Sequence, residues 1–521
     1  MKDKYKKIGL VLVIIVLLGT VLSLGANWWI NAQLPKIISE NNETPYLIKY
    51  DNIDVSILSR KIEATGIRVV PKEREKDSLR KNGIFASVQK IVITNYSILP
   101  LLFQNKIEAN SITFFKPKIT LFKDNDKSIN SSKGISSRIV APFQQLVKVA
   151  NLDLEQGTFY VINLSNNKTL FQAKNVKIQL NEIAISEETL NKKIPFNFKS
   201  YAFSCDSLLY LTNSKYKIAV QQIVTTNVGL ELKKFSMLSE LNRKQFVNQL
   251  PLEKDLYNLK SDKISIKNMS WGFKDEIFFF STNHIAIDKA DANIYRSKVP
   301  ADDKSVKPLY NKLLRELKFD MKIDTLSITN TKLVYEEEKS FDKGAGILTF
   351  NDFNLQATHI NSGFKNTKLP DVAILVKCKF MNQSPMTIDW RFNVMNTADR
   401  FSIKGSIHNF KTKDLAVFTK PYLNATFTGD FDQIFFNFTG DHTKANGDFA
   451  ARYANLKLSL YQKKDRTKKS KLKSWIGNLL MDKNSNDELV ENEIAVERDN
   501  EKSFFNYLWL CIADGLKKTL I

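Results

Sequence analysis

The chain has 521 residues, a net charge of +22, 43% hydrophobic residues including 35 Phe, and only 18 Gly and 13 Pro. That balance excludes a disordered or low-complexity chain and predicts an ordered protein with a sizeable apolar interior. A positive excess of this size suits an anionic partner, either nucleic acid or a lipid surface, and composition does not choose between them. Cys205, Cys378 and Cys511 are far apart and form no C-x-x-C pair. They read as buried apolar thiols, with a Cys205 to Cys378 bridge open only in an oxidising compartment.

The N-terminus places Lys2, Lys4, Lys6 and Lys7 before an uncharged stretch from Ile8 to Ile30. At about 1.5 Å per residue that stretch covers about 34 Å as a helix, enough to cross a bilayer. The lysines predict a cytoplasmic basic tip over 1–7 and a single-pass anchor over 8–30, with Trp28 and Trp29 at the far interface. A cleaved signal peptide is the rival, since small residues lie between Leu22 and Ala26. The length of the apolar run and the tryptophans directly after it favour the anchor.

From Tyr46 to Tyr461 the sequence alternates apolar and polar residues with period two, as in "ASVQKIVITN" and "NVKIQLNEIAI". Such alternation predicts strands with one apolar and one wet face. A short phrase recurs irregularly: apolar, any, apolar, then four residues and another apolar. It begins at Ile91, Ile112, Leu152, Ile264 and Leu326. The odd offset at its end changes parity, so a turn or bulge must intervene, and Gly157, Asn268 and Asn330 are residue types that tolerate one. About 24 to 28 strands at about 4.8 Å each would make a sheet about 120 to 130 Å long, which must twist and curl. Curled with its apolar side inward, it is a trough whose exposed apolar surface marks a binding site.

Amphipathic helical inserts are expected near 138–149, 237–259 and 304–317, starting around Pro142, Pro251 and Pro308. The groove-forming region is therefore bounded at 40–461. Residues 462–502 read as a flexible segment, first basic and then acidic. Lys463, Lys464, Arg466, Lys468, Lys469, Lys471 and Lys473 either meet an anionic lipid surface or form a solvated loop. Residues 503–521 predict an amphipathic helix with Phe504, Phe505, Leu508, Trp509, Ile512 and Leu516 on one face. That face lies in a membrane interface or docks on the end of the sheet.

Catalytic signatures are missing from the sequence. His284, His359, His408 and His442 stand alone, and there is no G-x-S-x-G, P-loop or H-E-x-x-H. The expectation is a non-enzyme with no metal and no cofactor. Nucleic acid fits poorly, because the lysines spread along polar strand faces and the body behind the anchor is exported.

With its N-terminal anchor, the stretches "LPLLFQNKIEANSITFFKPKITLF" and "VANLDLEQGTFYVINLSNNKTLFQAKNVKIQL", and the segment from Leu415 to Leu460, the chain resembles the AsmA-like, TamB-related family of bridge-like lipid transfer proteins. The resemblance covers the N-terminal third and the last hundred residues. It implies a mainly β protein of a Gram-negative envelope, anchored in the inner membrane with its body in the periplasm. There a long, curled, antiparallel-rich sheet with a few short helices would form a hydrophobic groove carrying phospholipid acyl chains toward the outer membrane. A periplasmic or outer-membrane protein partner is implied because the chain is short for the family. Candidate groove contacts are Ile91, Ile93, Ile112, Phe114, Leu152, Leu154, Ile264, Ile266, Leu326 and Ile328. The alternative is a non-transporting scaffold for outer-membrane protein assembly, using sheet edges to pair with partners.

Overall fold

The computed structural model describes residues 46–56, 58–72, 83–97, 107–123, 147–186, 189, 196–212, 215–381, 383–461 and 484–520, together with Leu24, Gly25 and Trp28. The protein is mainly β, and its 24 described strands belong to one mixed sheet. Two compact units divide the chain, one of residues 1–213 and 218–227, the other of 214–217 and 228–521.

The first unit contains β1 (Tyr46–Lys49), β2 (Asn52–Ser56), β3 (Lys61–Pro71), β4 (Gly83–Thr94), β5 (Ile107–Phe115), β6 (Lys118–Lys123), β7 (Val147–Asn163), β8 (Thr169–Ile185), β9 (Ser200–Cys205), β10 (Ser207–Leu211) and β12 (Gln222–Thr226). β11 (Tyr216–Val220) lies where the two units divide. Several of these are halves of one broken strand. β1 and β2 pair with successive parts of β3, β5 and β6 with successive parts of β4, and β9 and β10 with successive parts of β8. Among the described strands of this unit, β7 pairs in parallel with β5 and β6.

The second unit runs β13 (Gly229–Ser239), α1 (Arg243–Asn248), β14 (Leu256–Lys267), β15 (Ser270–Lys274), β16 (Ile277–Ser297), α2 (Tyr310–Arg315), β17 (Asp320–Glu338), β18 (Gly346–Asn361), β19 (Val372–Phe380), β20 (Ser384–Phe392), β21 (Phe401–Lys411), α3 (Ala416–Leu423), β22 (Ala425–Gly440), β23 (Lys444–Leu460), β24 (Val490–Glu497) and α4 (Phe504–Leu520). Here the parallel strand pairing is β16 with β17, and an isolated parallel bridge joins Leu252 and Ala301.

The breaks align into creases. In the first unit Gly66, Lys116, Gln156 and Asn175 have φ of 60°, 48°, 55° and 49°. Lys116 N donates to Glu155 O and Thr158 N to Pro117 O, both at 2.8 Å, so the kinks of neighbouring strands sit side by side. In the second unit Lys234, Lys289, Asn330 and Asp352 repeat the feature at φ 52°, 48°, 52° and 47°. A second line follows a few residues away, at Asn95 and Glu182 in the first unit and at Asn268 and His359 in the second. Left-handed backbone costs a non-glycine residue on the order of 1 kcal/mol, so its recurrence reflects a constraint imposed by the sheet.

These creases explain the recurring phrase. Each of its copies places a left-handed residue four positions after its first apolar residue: Asn95, Lys116, Gln156, Asn268 and Asn330. In the Leu152 copy the kink is at Gln156, one residue before the expected Gly157. Gly157 has a different role, since a Cβ there would lie 2.6 Å from Leu154 Cδ2 and 3.1 Å from Phe159 Cε2. Leu154 and Phe159 therefore crowd the same face despite their odd separation, and the apolar face continues across the kink.

Helices depart from several sequence expectations. Instead of filling 237–259, α1 precedes Pro251. Its start is fixed by a capping box in which Asn242 Oδ1 accepts from Gln245 N at 2.9 Å and Gln245 Oε1 accepts from Asn242 N at 3.1 Å. Phe246 and Val247 of α1 pack with Leu256 and Tyr295. α2 is confined to Tyr310–Arg315 within the expected 304–317. Of the insert expected over 138–149, residues 138–146 lie outside the described residues and Val147–Val149 open strand β7. α3 has no counterpart in the sequence reading. The acidic part of 462–502 is not wholly flexible, because Val490–Glu497 forms β24 against β23. The membrane segment over 8–30 lies outside the described residues apart from Leu24, Gly25 and Trp28. Among the described residues no helix is long and apolar enough to cross a membrane.

Candidate functional site: an apolar band between two creases

Residues directly opposite each other on paired strands project from the same face. In the first unit this brings the candidate groove residues together. Ile91 and Ile93 lie opposite Phe114 and Ile112, which lie opposite Leu154 and Leu152. The row extends to Ala64 and Ile62 on one side, and to Ile178 and Leu180 on the other. In the second unit Ile264 and Ile266 face Ile287 and Ile285, which face Ile328 and Leu326. That row continues through Leu355 and Ala357 to Val376 and Ile374. Each unit therefore carries a band, two apolar residues deep per strand, bounded by the two lines of left-handed residues. All ten candidates are half-buried rather than enclosed.

Sequence reasoning missed the intermediate rows. Ile285 and Ile287 obey the same rule, with left-handed Lys289 four positions after Ile285. Lysine is not a turn-forming residue, so the kink left no signal. The signal that could have found it is the apolar pair alone.

The opposite face is polar. Glu231, Ser265, Ala286, Ser327 and Gln356 lie opposite one another in sequence, and the His284 ring nitrogen Nε2 is 3.0 Å from Ser327 Oγ. Lys263 Nζ pairs with Glu231 at 2.7 Å, and this hydrogen-bonded contact leads the causes holding the Glu231 carboxyl below its ordinary range. Charges also gather on the creases. Lys234 Nζ donates to Asp262 Oδ1 at 2.8 Å, Lys379 Nζ pairs with Asp352 at 2.7 Å, and Asp288 Oδ1 accepts from Asn330 Nδ2 and Thr329 Oγ1, each at 2.9 Å.

Toward the C-terminus the band of the second unit is covered. Ile374 lies opposite Trp390, Trp390 opposite Ile403, and Ile403 opposite Phe438, so the row continues onto β20, β21 and β22. Ile403, Phe438 and Phe449 are 2%, 0% and 0% exposed. Helix α4 lies over them. Its Phe504 stacks on Trp390 with ring centres 4.5 Å apart, and Tyr453 Oη donates to Thr519 O at 3.0 Å. Gly515 permits the approach, since a Cβ there would lie 2.3 Å from the Phe449 ring. Of the two places open to this helix in the sequence, its inner face docks on the sheet.

Nothing in the band is reactive. The glutamates ending β17 are engaged: Arg243 pairs with Glu336, Tyr422 donates to Glu337 and Tyr295 to Glu338. Burial pushes the Cys378 and Cys511 thiols up to about 12, and all three cysteines are free and buried. Among the described residues no group of His, Cys, Asp and Glu could hold a metal ion. The basic candidates Lys463, Lys464, Arg466, Lys468, Lys469, Lys471 and Lys473 lie outside the described residues. Compared with known proteins, the chain matches no family model and no curated protein sequence.

Proposed function

We propose that the chain is a non-enzymatic, AsmA-like envelope protein that holds phospholipid acyl chains along a trough. In this reading the inner membrane is spanned over residues 8–30, the body lies in the periplasm of a Gram-negative cell, and the protein contributes to phospholipid movement between the two membranes. The observation that carries it is the half-exposed apolar band between paired creases, repeated in both units. In this reading the two creases bend the sheet toward its apolar face, so that the band becomes the floor of a trough suited to extended hydrocarbon. Surface of this kind left open usually marks a binding site.

The test uses the full chain. Ile264→Asp and Leu326→Asp place charges on the band, whereas Ser265→Asp and Ser327→Asp place them on the opposite face. The expected result is that band variants lose at least about tenfold of the phospholipid that copurifies, measured by mass spectrometry, because a carboxylate is strongly disfavoured beside hydrocarbon. The polar-face variants keep it. Equal retention in both pairs sinks the proposal.

A second reading, a scaffold for outer-membrane protein assembly, is favoured by the closed C-terminal end, where Phe436, Phe438 and Phe449 and helix α4 fill the face. It requires the purified chain to carry no lipid and to capture a partner through its sheet edges.

A further inference from the structure

Helix α4 has a second apolar surface that the sheet does not use. Its inner stripe, Phe504, Tyr507, Cys511, Gly515 and Thr519, is buried at helical spacing. The outward arc carries Phe505, Trp509 and Leu510, which are 63%, 52% and 36% exposed. Two large aromatic side chains one turn apart and more than half in water are unusual for a helix already anchored by its other face.

Charge around this arc is segregated. Lys517, in the last turn, is exposed beside it. The acidic strand β24 lies under the helix but turns its glutamates away. Asn492 Nδ2 donates to Thr519 Oγ1 of α4 at 3.2 Å, whereas the alternate residues Glu491 and Glu493 lie opposite Ala450 and Asp448 on the other face. Asp514 is neutralised by Lys518 at 3.0 Å. The outward side of α4 is thus aromatic with exposed Lys517 at its C-terminal end, the exposed acids Asp499 and Glu501 preceding its other end, in a chain of net charge +22.

We infer that the outward face of α4 is a docking surface for a bilayer carrying anionic lipids, with Phe505 and Trp509 entering the interface. Tryptophan and phenylalanine suit that depth, and basic residues near an anionic surface contribute on the order of 1 kcal/mol each. The inference does not rest on the acyl-binding band, since Phe505 and Trp509 lie outside the core that α4 joins.

The test reconstitutes the full chain in vesicles of phosphatidylcholine and phosphatidylglycerol at three to one, with an environment-sensitive NBD label on Trp509→Cys or, as the opposite-face control, on Glu491→Cys. The native cysteines are buried, so labelling is selective. The label at 509 should shift to the blue and lose at least about half its emission to bromine-bearing acyl chains, and the label at 491 should do neither. Adding Phe505→Glu should reverse the effect at 509. Water-like emission at 509 in these vesicles overturns the inference. So does a blue shift that grows with protein concentration and is insensitive to brominated lipid, which would mark a second copy as the occupant. An equal response in phosphatidylcholine alone overturns the anionic preference.

Discussion

At Gly157 the crease constrains a single residue through its apolar neighbours. Leu154 and Phe159 close over it, so Gly157→Val forces side chains off their rotamers and should cost about 1 to 3 kcal/mol in urea unfolding. An unchanged midpoint would mean the two side chains relax freely, and that the face is not continuous across the kink. Asp288 carries a pH signature. Hydrogen bonds from Asn330, then Thr329, hold its carboxyl below the ordinary range. A lowered folded value gives stability that is present above the unfolded value of about 3.9 and is lost as pH falls through the folded one. Asp288→Asn should therefore flatten the decline in urea midpoint as pH falls below the unfolded value of about 3.9. A decline as steep as that of the unmodified chain would assign the acid sensitivity elsewhere. At this scale the sequence was partly legible. Asn268 and Asn330 betray their kinks because asparagine tolerates left-handed backbone, whereas Lys116, Gln156 and Lys289 adopt it only because neighbouring strands kink beside them.

Helix α4 shows how far an element can be read from its pattern. The periodicity of Phe504, Phe505, Leu508, Trp509, Ile512 and Leu516 identified a helix, and of these Phe504, Leu508, Ile512 and Leu516 pack against the core while Phe505 and Trp509 stay exposed. The buried stripe includes the small Cys511, Gly515 and Thr519, whose size lets the helix approach Phe449. Gly515→Leu should lift α4 from the sheet and speed amide exchange across 504–520 by at least about tenfold, with β7 and β8 unchanged. Exchange that stays slow would show that the helix is held elsewhere. β24 was obscured because glutamates fill its outward parity while only Val490, Ile494 and Val496 mark the inward one. α3 was obscured by Pro421 inside it. The start of α1 ahead of Pro251 follows from cap chemistry at Asn242, a stronger local signal than the proline.

For the whole molecule, the class of fold followed from alternation alone, since period-two patterning leaves few options besides sheet. The candidate residues were legible individually from the recurring phrase. Their assembly into rows was not, because register between strands far apart in sequence is set by pairing that no local pattern encodes. The central claim is that the half-exposed rows contact lipid hydrocarbon. A photo-crosslinking residue at Ile266, and separately at Ser265, in the full chain expressed in cells with labelled phospholipids tests it most directly, because these neighbours point to opposite faces. Label at position 266 and none at 265 is the predicted result. Crosslinks from 266 only to protein, with no lipid at either position, would contradict the account.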